Sequence, residues 1–529
     1  MKRAGLFFCI MFLFSGIIKA QVWQPNLGNG KYKNPIIYAD YSDPDVIRVD
    51  ENYYMVASSF TCMPGIPILQ SKNLVNWKII GHVYDSLPLQ KYEKPQHGEG
   101  SWAPSIRYHN GLFYVYFCTP NDGLFVGTAK KITGPWQLTM VEDVADWEDP
   151  CPFWDDDGNA YLVHSKVCAN ILYLNKLSKD GKQLLDNGTI IYHNEKKEPT
   201  IEGPKMMKRN GYYYILSPAG GVGHGWQAVL RAKHIYGPYQ AKDILHQGDT
   251  DINGPHQGGL VETQSGEWWF LHFQDKGPYG RIVRLEPAGW KDNWPYFGVD
   301  KNGDGIGEPV TGYKMPDVGK NAPAITPQTS DDFSEEKLGL QWQWMANPQK
   351  RWYSLTQHPG FMRLYAIKNF TQKGNLYFVP NLLLQKFPAP EFQVTTKMTF
   401  HPDLKNEKAG LVVMGKKWSF LSLINSSGGL KIGRFAGERN HCYDPTQISD
   451  SVSSSSNTLY LRVTVRDSAF CQYSYSLDGK TFKDIGHKVQ ADSGVWIGAK
   501  VGIFCINPNI HQSKGYADFD FVHVSKIGK

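Results

Sequence analysis

Short stretches in which apolar and polar residues alternate recur along most of the chain, each bounded by Gly, Asn or Asp. A period of two residues is typical of β-strands that bury one face, and the bounding residues favour tight turns. Runs with the 3.6-residue period of an amphipathic helix are nearly absent. The pattern therefore predicts an all-β chain.

One unit of this pattern repeats five times in the first three hundred residues or so. Each copy has a polar or proline-containing start, a short apolar strand, a polar turn and an aromatic strand. The aromatic strands align on Tyr54, Tyr114, Tyr161, Tyr214 and Trp269. The period of about 50 residues suits four short antiparallel strands, with hairpin turns such as HNGL and DDGN. The repeat predicts a five-bladed β-propeller, and a sandwich of unrelated hairpins is the alternative.

The residue that opens each repeat carries the main chemical signal. The five openings are Asp43, Trp102, Asp149, Glu202 and His256. Because the inner strands of a propeller run along its central axis, equivalent strand starts should meet at one end of the channel. Taken singly, each residue has an ordinary structural explanation, such as an Asp-Pro turn. Their shared repeat position is what indicates a functional site.

Three carboxyl groups that face one pocket are suited to hydrolysis of a glycosidic bond. A protonated acid donates to the leaving oxygen, and an ionised base draws a proton from water. A third carboxylate beside the acid raises its pKa by like-charge repulsion. The separation of acid and base, which the sequence does not give, decides between inversion at roughly 6.5 to 9.5 Å and a covalent intermediate at roughly 5 Å.

Several of these segments resemble glycoside hydrolase family 43: NPIIYADYSDPDVI, SWAPSIRYHNGLFYVYF, DPCPFWDDDG and IEGPKMMKRNGYYY, followed by Gly280-Arg281. The resemblance implies a five-bladed propeller that hydrolyses arabinose- and xylose-containing polymers with inversion. It implies Asp43 as general base and Glu202 as general acid. Asp149 would modulate the pKa of that acid and orient it. No cofactor is expected to be required.

The resemblance also implies roles for four further residues, each of which could instead serve simple packing. Phe60 and Trp102 fall where the family places aromatic walls of the pocket. Arg281 matches an arginine that contacts substrate hydroxyls. His256 matches a histidine at the channel centre, which in many members binds calcium or a water cluster, so calcium at the propeller centre is left open.

A second domain is predicted after the propeller, which is assigned to residues 21–312. Residues 313–330 are rich in Pro, Gly and Lys without periodicity, which indicates a linker. Strand–turn alternation over 331–529 predicts a β-sandwich. It resembles the concanavalin-like C-terminal domain of β-xylosidase-type members, which implies that it packs on the propeller and lends a loop to the pocket rim. Such a rim would restrict the site to chain ends.

The preferred function is that of an exo-acting α-L-arabinofuranosidase, releasing terminal non-reducing arabinofuranose from side chains of xyloglucan or arabinoxylan. The segments ADYSDPDVI and FTCMPGIPIL carry this preference by resemblance. After Phe60, the chain has Thr61-Cys62-Met63-Pro64 where the best-known β-xylosidases of the family carry a further bulky aromatic, which argues against xylosidase activity. The alternatives are a β-1,4-xylosidase on xylo-oligosaccharides and a catalytically silent sugar-binding propeller. The presence of all three carboxylates argues against the catalytically silent propeller.

Composition narrows the partners. The 56 basic and 50 acidic residues are interspersed, and no Lys/Arg-rich run is present that would track phosphates, so nucleic acid is not expected as a partner. Seven cysteines follow Cys9 without CxxC spacing, and most are expected to be buried hydrophobes rather than zinc ligands. For residues 300–308, a solvated turn is favoured over a calcium loop.

The N-terminus has the pattern of a secretory signal, assigned to residues 1–20. A basic start is followed by an apolar run from Leu6 to Ile18 and by Ala20. Cys9 lies inside the apolar run, which disfavours a lipid anchor. No later segment approaches the roughly 20 apolar residues of a membrane span. We therefore expect a periplasmic or extracellular protein without a membrane partner that acts on hemicellulose oligosaccharides; its oligomeric state is left open.

Overall fold

The computed structural model describes residues 21–319, 322–368, 375–439 and 447–528. The predicted signal peptide, residues 1–20, lies outside the described residues, as does Cys442. The described chain is built from β-strands joined by turns and a few single-turn 3₁₀ helices, at Gln90–Glu93, Gly277–Tyr279, Lys350–Trp352, Leu376–Phe378 and Asp467–Ala469. No helix in these ranges is long and apolar enough to cross a membrane.

Two short strands, β1 (Lys31–Lys33) and β2 (Ile37–Asp40), precede four antiparallel sheets of four strands each. Blade 1 contains β3 (Asp45–Val49), β4 (Asn52–Val56), β5 (Gly65–Ser71) and β6 (Trp77–Tyr84). Blade 2 contains β7 (Trp102–His109), β8 (Leu112–Thr119), β9 (Gly123–Ala129) and β10 (Gln137–Glu142). Blade 3 contains β11 (Trp147–Trp154), β12 (Ala160–Lys166), β13 (Ile171–Leu177) and β14 (Thr189–His193). Blade 4 contains β15 (Lys205–Arg209), β16 (Tyr212–Ala219), β17 (Trp226–Ala232) and β18 (Gln240–Leu245).

The fifth blade is completed by the start of the chain. Its later strands are β19 (His256–Glu262), β20 (Trp268–Asp275), β21 (Arg281–Lys291) and β22 (Trp294–Phe297). Strand β2 pairs antiparallel with β21, with Ile37 opposite Val283. Beyond the blade, β23 (Gly312–Lys314) pairs with β1. The ring is thereby closed by hydrogen bonds between distant parts of the sequence.

Five blades surround the channel, so the fold predicted from the repeat is confirmed. The inner strands β3, β7 and β11 each contact the inner strand of the next blade, and β19 contacts both β3 and strands β16 and β17 of blade 4. The aromatic markers lie on the second strand of each blade, where Tyr54 faces Ile47 and Tyr161 faces Phe153 across the first hairpin. All five markers are buried, because each packs in the core between or within blades.

Two further sheets form the predicted β-sandwich. The first contains β24 (Tyr353–Ser354), β25 (Met362–Tyr365), β28 (Phe392–His401), β33 (Thr458–Arg466), β34 (Phe470–Ser476), β35 (Lys483–Gln490) and β37 (Tyr516–Ser525). The second contains β26 (Ile367–Lys368), β27 (Leu383–Lys386), β29 (Lys408–Met414), β30 (Lys417–Ser426), β31 (Gly429–Glu438), β32 (Gln447–Ser453) and β36 (Lys500–Asn507). Strand β28 alternates buried and half-buried residues, as a strand with one face on the core should.

The sandwich packs directly on the propeller. Phe60 and Cys62 of blade 1 belong to one apolar cluster with Trp418 of the sandwich. The backbones of Met63 and Trp344 exchange two hydrogen bonds, of 2.9 and 2.6 Å. The two units therefore share a continuous apolar interface beside the channel.

The described cysteines other than Cys168 are buried, as expected for small hydrophobes, and all are free thiols. In the turn at residues 300–308, of which 300–305 are exposed, the Asp300 carboxylate accepts hydrogen bonds from the backbone N–H groups of Gly303 and Gly305. The turn closes on itself in this way, which suits the interpretation as a solvated turn.

Candidate active site

A cavity of about 450 Å³ opens at one end of the propeller channel. We call it the channel cavity. Six of the seven predicted site residues border it, namely Asp43, Phe60, Trp102, Asp149, Glu202 and Arg281. The seventh, His256, is completely buried and contacts the Glu202 side chain. The structure thus brings together all the residues that the repeat pattern and the resemblance single out.

Asp43 is fixed by two hydrogen-bond donors. Arg281 donates from Nη1 to Oδ1 of Asp43 at 2.5 Å, and the Ser58 hydroxyl donates to Oδ2 at 2.5 Å. Ser58 in turn accepts a 2.7 Å hydrogen bond from the backbone N–H of Ala103 on blade 2. Asp43 has a φ of 54°, in the left-handed region that aspartate tolerates better than most residues. This buried carboxylate therefore has a defined orientation at the cavity.

Glu202 is the most accessible of the three carboxylates, with 20% of its side chain exposed. Its Oε1 lies 2.8 Å from Nε2 of His256, which opens β19 of the next blade. The hydroxyl of Ser217 donates to the backbone oxygen of Glu202 and fixes the main chain. A partly exposed carboxyl group with one anchored oxygen can present the other to a ligand.

Asp149 acts on the Glu202 segment through Gly203. The backbone N–H of Gly203 donates to Oδ2 of Asp149 at 2.6 Å. Gly203 has a φ of +58°, and a Cβ there would lie only 2.8 Å from Cγ of Gln257. The Glu-Gly-Pro motif therefore requires glycine at its second position.

The pKa of Asp149 is raised to about 7, first by burial and then by the negative charges of Glu202 and Asp43. Lys205 and the hydrogen bond from Gly203 oppose this rise. Repulsion of this kind disfavours full ionisation of the carboxyl cluster near neutral pH. The arrangement favours retention of a proton close to Glu202.

A fourth carboxyl group, Glu148, also borders the channel cavity, and the sequence analysis did not identify it. Its pKa is raised to about 10, first by burial and then by the negative charges of Asp149 and Glu202. Its position directly before Asp149 in WEDPCP was the available signal. Only the residue that opens each repeat was assigned to the pocket, and neighbouring residues in a strand normally face opposite sides.

Three aromatic rings form a wall of the channel cavity. Phe60 and Trp102 meet edge to face with centroids 6.1 Å apart, and Trp102 meets Trp496 at 6.2 Å. The Arg281 guanidinium lies 5.7 Å from the Trp496 ring. Trp496 belongs to the sandwich, so the predicted loop at the pocket rim is present. Its identity was missed, because nothing in the propeller repeat refers to residue 496.

The residues that follow Phe60 do not line the cavity. Thr61, Cys62 and Met63 are essentially inaccessible: Cys62 packs against the sandwich, and the Met63 side chain lies in the core between blades 1 and 2. Met63 is tied there by its backbone hydrogen bonds to Trp344. The lack of a bulky aromatic in this segment therefore does not change the shape of the pocket. The missing aromatic is thus no longer an argument against xylosidase activity.

A bound cation would find few protein ligands. Within the described residues, no three His, Cys, Asp or Glu side chains are grouped so that they could hold a metal ion. Nδ1 of His256 is buried without a hydrogen-bond partner. Since calcium takes six to eight oxygen ligands, the residues present do not form a cage for it. The ligand that they would offer to a hydrated ion, or to a water molecule, is the Nδ1 nitrogen of His256.

Comparison with known families gives two matches. The family described as "Glycosyl hydrolases family 43" matches residues 32–295. The family described as "Beta xylosidase C-terminal Concanavalin A-like domain" matches residues 330–525. These ranges contain the propeller strands from β2 to β21 and the sandwich strands.

Similar proteins carry two kinds of name. A "Putative beta-xylosidase" of Xylanibacter ruminicola is 42% identical over 90% of this chain and 86% of its own length. A "Beta-xylosidase" of Formosa agariphila is 33% identical over 93% of this chain and 90% of its own length. A "Non-reducing end alpha-L-arabinofuranosidase BoGH43B" of Bacteroides ovatus is 31% identical over 75% of this chain and 76% of its own length.

Solved structures match over almost the whole chain. A "Bifunctional GH43-CE" protein of Bacteroides eggerthii superposes with a TM-score of 0.83 at 28% identity, covering 94% of this chain and 64% of that one. This chain thus spans slightly less than two thirds of that protein. The "Bacteroides ovatus Xyloglucan PUL GH43B" structure gives a TM-score of 0.81 at 25% identity, covering 94% of this chain and 100% of that one.

Proposed function

Because the chain belongs to glycoside hydrolase family 43, we propose that it releases single terminal pentose residues from the non-reducing ends of hemicellulose oligosaccharides. The observation that carries the proposal is the convergence of Asp43, Asp149 and Glu202 on one aromatic-walled cavity. Acids at two sides of a sugar-sized pocket are the machinery of glycoside hydrolysis. A sugar-binding propeller without activity would not need them.

Asp43 is proposed as the general base. Arg281 and Ser58 hold the carboxylate in one orientation, and both contacts suit its ionised form. A water molecule that lies between Asp43 and the anomeric carbon would lose its proton to Asp43 as it attacks. Direct displacement by this water inverts the anomeric configuration.

Glu202 is proposed as the general acid. It is the most accessible of the three carboxyl groups, so it can reach the glycosidic oxygen of the leaving group. Asp149 disfavours ionisation of the cluster and orients Glu202 through the Gly203 N–H group. The proton of Glu202 then passes to the leaving oxygen as the glycosidic bond breaks.

The aromatic wall supports action at chain ends. Trp496 reaches the propeller from the sandwich, and with Phe60 and Trp102 it encloses one side of the cavity. A polymer that continued in both directions would have to pass through this wall. A terminal sugar can instead enter with its non-reducing end against the rings.

Two terminal sugars remain candidates. β-Xylose is supported by the names of the relatives at 42% and 33% identity, and the buried position of Thr61 to Met63 removes the structural objection to it. α-L-Arabinofuranose, the preference from the sequence, is supported by the name of the relative at 31% identity. β-Xylosides are therefore the first substrates to assay, and arabinofuranosides the second.

The assay compares aryl β-xylopyranoside with aryl α-L-arabinofuranoside, using wild type and Glu202→Gln. We expect hydrolysis of at least one substrate by the wild type. Loss of the proton donor should lower kcat about 10² to 10⁴-fold on unactivated xylobiose or arabinosyl oligosaccharides. Full activity of Glu202→Gln on these natural linkages would refute the assignment, and NMR of the first-formed anomer would test inversion.

Two further expectations belong to this proposal. Residues 1–20 have the pattern of a secretory signal, and mass spectrometry of protein from the exported fraction would detect a mature chain that starts at Gln21. For calcium at the propeller centre, the buried Nδ1 of His256 is the only supporting observation. Treatment with EDTA tests it: activity that falls and returns with added calcium would support the ion.

A further inference from the structure

A second cavity, of about 310 Å³, lies between the propeller and the sandwich. We call it the interdomain cavity. Its propeller side includes Tyr38 and Tyr41 with His82 of β6, and its sandwich side includes Gln343 and Lys386. None of these residues borders the channel cavity. Its volume is at the lower limit of known small-molecule sites, roughly 300 Å³, so it has room for a small ligand.

The ammonium group of Lys386 borders this cavity without a carboxylate partner. No acidic side chain of the described chain lies within ion-pair distance of it; its contacts are the Tyr41 ring, 4.9 Å away, and the neighbouring Lys500 side chain. Lys386 is partly exposed and lies opposite a buried lysine, Lys500, in the pairing of β27 with β36. The Lys500 ammonium donates to Oε1 of Gln343 at 3.0 Å, a neutral acceptor.

The surrounding charges leave an excess of positive charge. Asp40 is the acidic group that acts on Lys386, but its oxygens already accept hydrogen bonds from the backbone N–H groups of Arg281 and Gly498. Burial and the Lys386 charge lower the pKa of His82 to about 3, so this imidazole is neutral. Burial and the charge of Lys500 lower the pKa of Lys386 to about 8. Two ammonium groups side by side, one of them buried, repel each other, and a bound anion would relieve that repulsion.

The other walls suit a sugar ring. Trp23, Tyr38 and Tyr41 supply aromatic surface, and the Trp23 and Tyr38 rings lie 5.0 Å apart. Amide side chains of Gln343 and Gln385 also border the cavity, and Nε2 of Gln385 is buried without a hydrogen-bond partner. Aromatic faces and amide groups are what a ring with hydroxyl groups needs for stacking and hydrogen bonding.

We propose that the interdomain cavity is a second ligand site, which binds a sugar-sized ring carrying a carboxylate, such as a uronic acid, with Lys386 as the ion-pair partner. The aromatic rings pack against the ring of the ligand, and the amide groups bind its hydroxyls. The site is separate from the channel cavity and does not depend on which pentose the enzyme releases. Tyr41 precedes Asp43, the proposed general base, by two residues. A ligand in the interdomain cavity would therefore also contact the segment that carries Asp43.

The test uses the full chain and three probes: glucuronate, glucose and acetate. We expect glucuronate to raise the Tm by about 2 °C or more at saturation, since a ligand that binds only the folded state stabilises it. Glucose, which lacks the carboxylate, should give no shift. Equal shifts with acetate and glucuronate would assign the site to small free carboxylates and overturn the ring part of the proposal.

The variants Lys386→Met and Lys386→Gln should lose the glucuronate shift, while Lys417→Met, at an exposed lysine of β30, should retain it. Hydrolysis of the aryl glycosides checks that each variant is folded. A second measurement needs no variant: glucuronate should protect Lys386 of the wild type from reductive methylation, read by mass spectrometry. Unchanged labelling of Lys386 at saturating glucuronate, or a shift that survives in both variants, would overturn the proposal.

Discussion

The carboxylate of Asp43 depends on its two hydrogen-bond donors, and one of them is a small neutral side chain that can be removed without disturbing the ion pair. Ser58 connects Asp43 to the backbone of blade 2, because it donates to the carboxylate and accepts from Ala103. Arg281 holds the other oxygen. The orientation of the base is therefore set jointly by blades 1, 2 and 5.

We predict that Ser58→Ala lowers kcat about tenfold or more with little change in KM. A hydrogen bond to a charged group is worth roughly 1.5 to 3 kcal/mol, and its loss lets the base rotate. Steady-state kinetics on the aryl glycoside measure the effect. Ser59→Ala is the matched control, because Ser59 is buried next to it but bonds to Ser101 and Ile66 instead. Equal losses in both variants would contradict the role of Ser58.

Glu148 should make stability fall as pH rises. Its pKa is raised to about 10 in the folded protein, so the folded state holds a proton that the unfolded chain releases near pH 4.5. Its contribution is complete below the unfolded pKa and is lost as the pH approaches the folded one. Between pH 5 and 9, the Tm of wild type should fall more than that of Glu148→Gln, by at least about 2 °C.

The matched control for this pH series is Glu195→Gln, at an exposed glutamate of blade 3. Its Tm should follow that of the wild type at every pH. Parallel curves for wild type and Glu148→Gln would contradict a buried, protonated Glu148. Asp149 shifts in the same direction and is present in both proteins, so their difference reports Glu148 together with its interaction with Asp149.

At the scale of elements, the propeller supplies the acids, and one loop of the sandwich supplies Trp496. We predict that Trp496→Ala raises KM about two- to tenfold for a disaccharide while kcat changes less, because ring contacts are worth roughly 0.5 to 1.5 kcal/mol. Kinetics with xylobiose, or with an arabinosyl oligosaccharide, provide the measurement. Phe470→Ala, at another exposed aromatic of the sandwich, should leave KM unchanged.

The sequence could predict the elements that recur and not those that occur once. The five strand openings were predictable because repetition places them in equivalent positions, and Asp43, Asp149 and Glu202 do share one cavity. Trp496 was not predictable, because its position at the pocket rim depends on how two separate domains pack together. Glu148 was not, because the irregular pairing between Glu148 and Cys151 lets neighbouring residues reach the same cavity.

At the scale of the whole molecule, the propeller and the sandwich are joined by two shared apolar clusters. Phe60 and Cys62 of the propeller share an apolar cluster with the sandwich, as do Tyr279 and Ile282 in a second one. A propeller alone, residues 21–329, would expose both patches. We predict that it aggregates on size-exclusion chromatography and lacks activity on the aryl glycoside. A monomeric propeller with full kcat/KM would show that the sandwich is dispensable.

The strand β2 has a consequence for the order in which the protein can be made. Its partner β21 is synthesised only after four complete blades, and the nearby Tyr32 hydroxyl bonds to a residue 253 positions later, Leu285. Until the ribosome has synthesised β21, blade 1 lacks its neighbour, blade 5, and the ring of blades cannot close. Such long-range pairing makes ring closure a late and slow event, so a growing chain stays open for most of its synthesis.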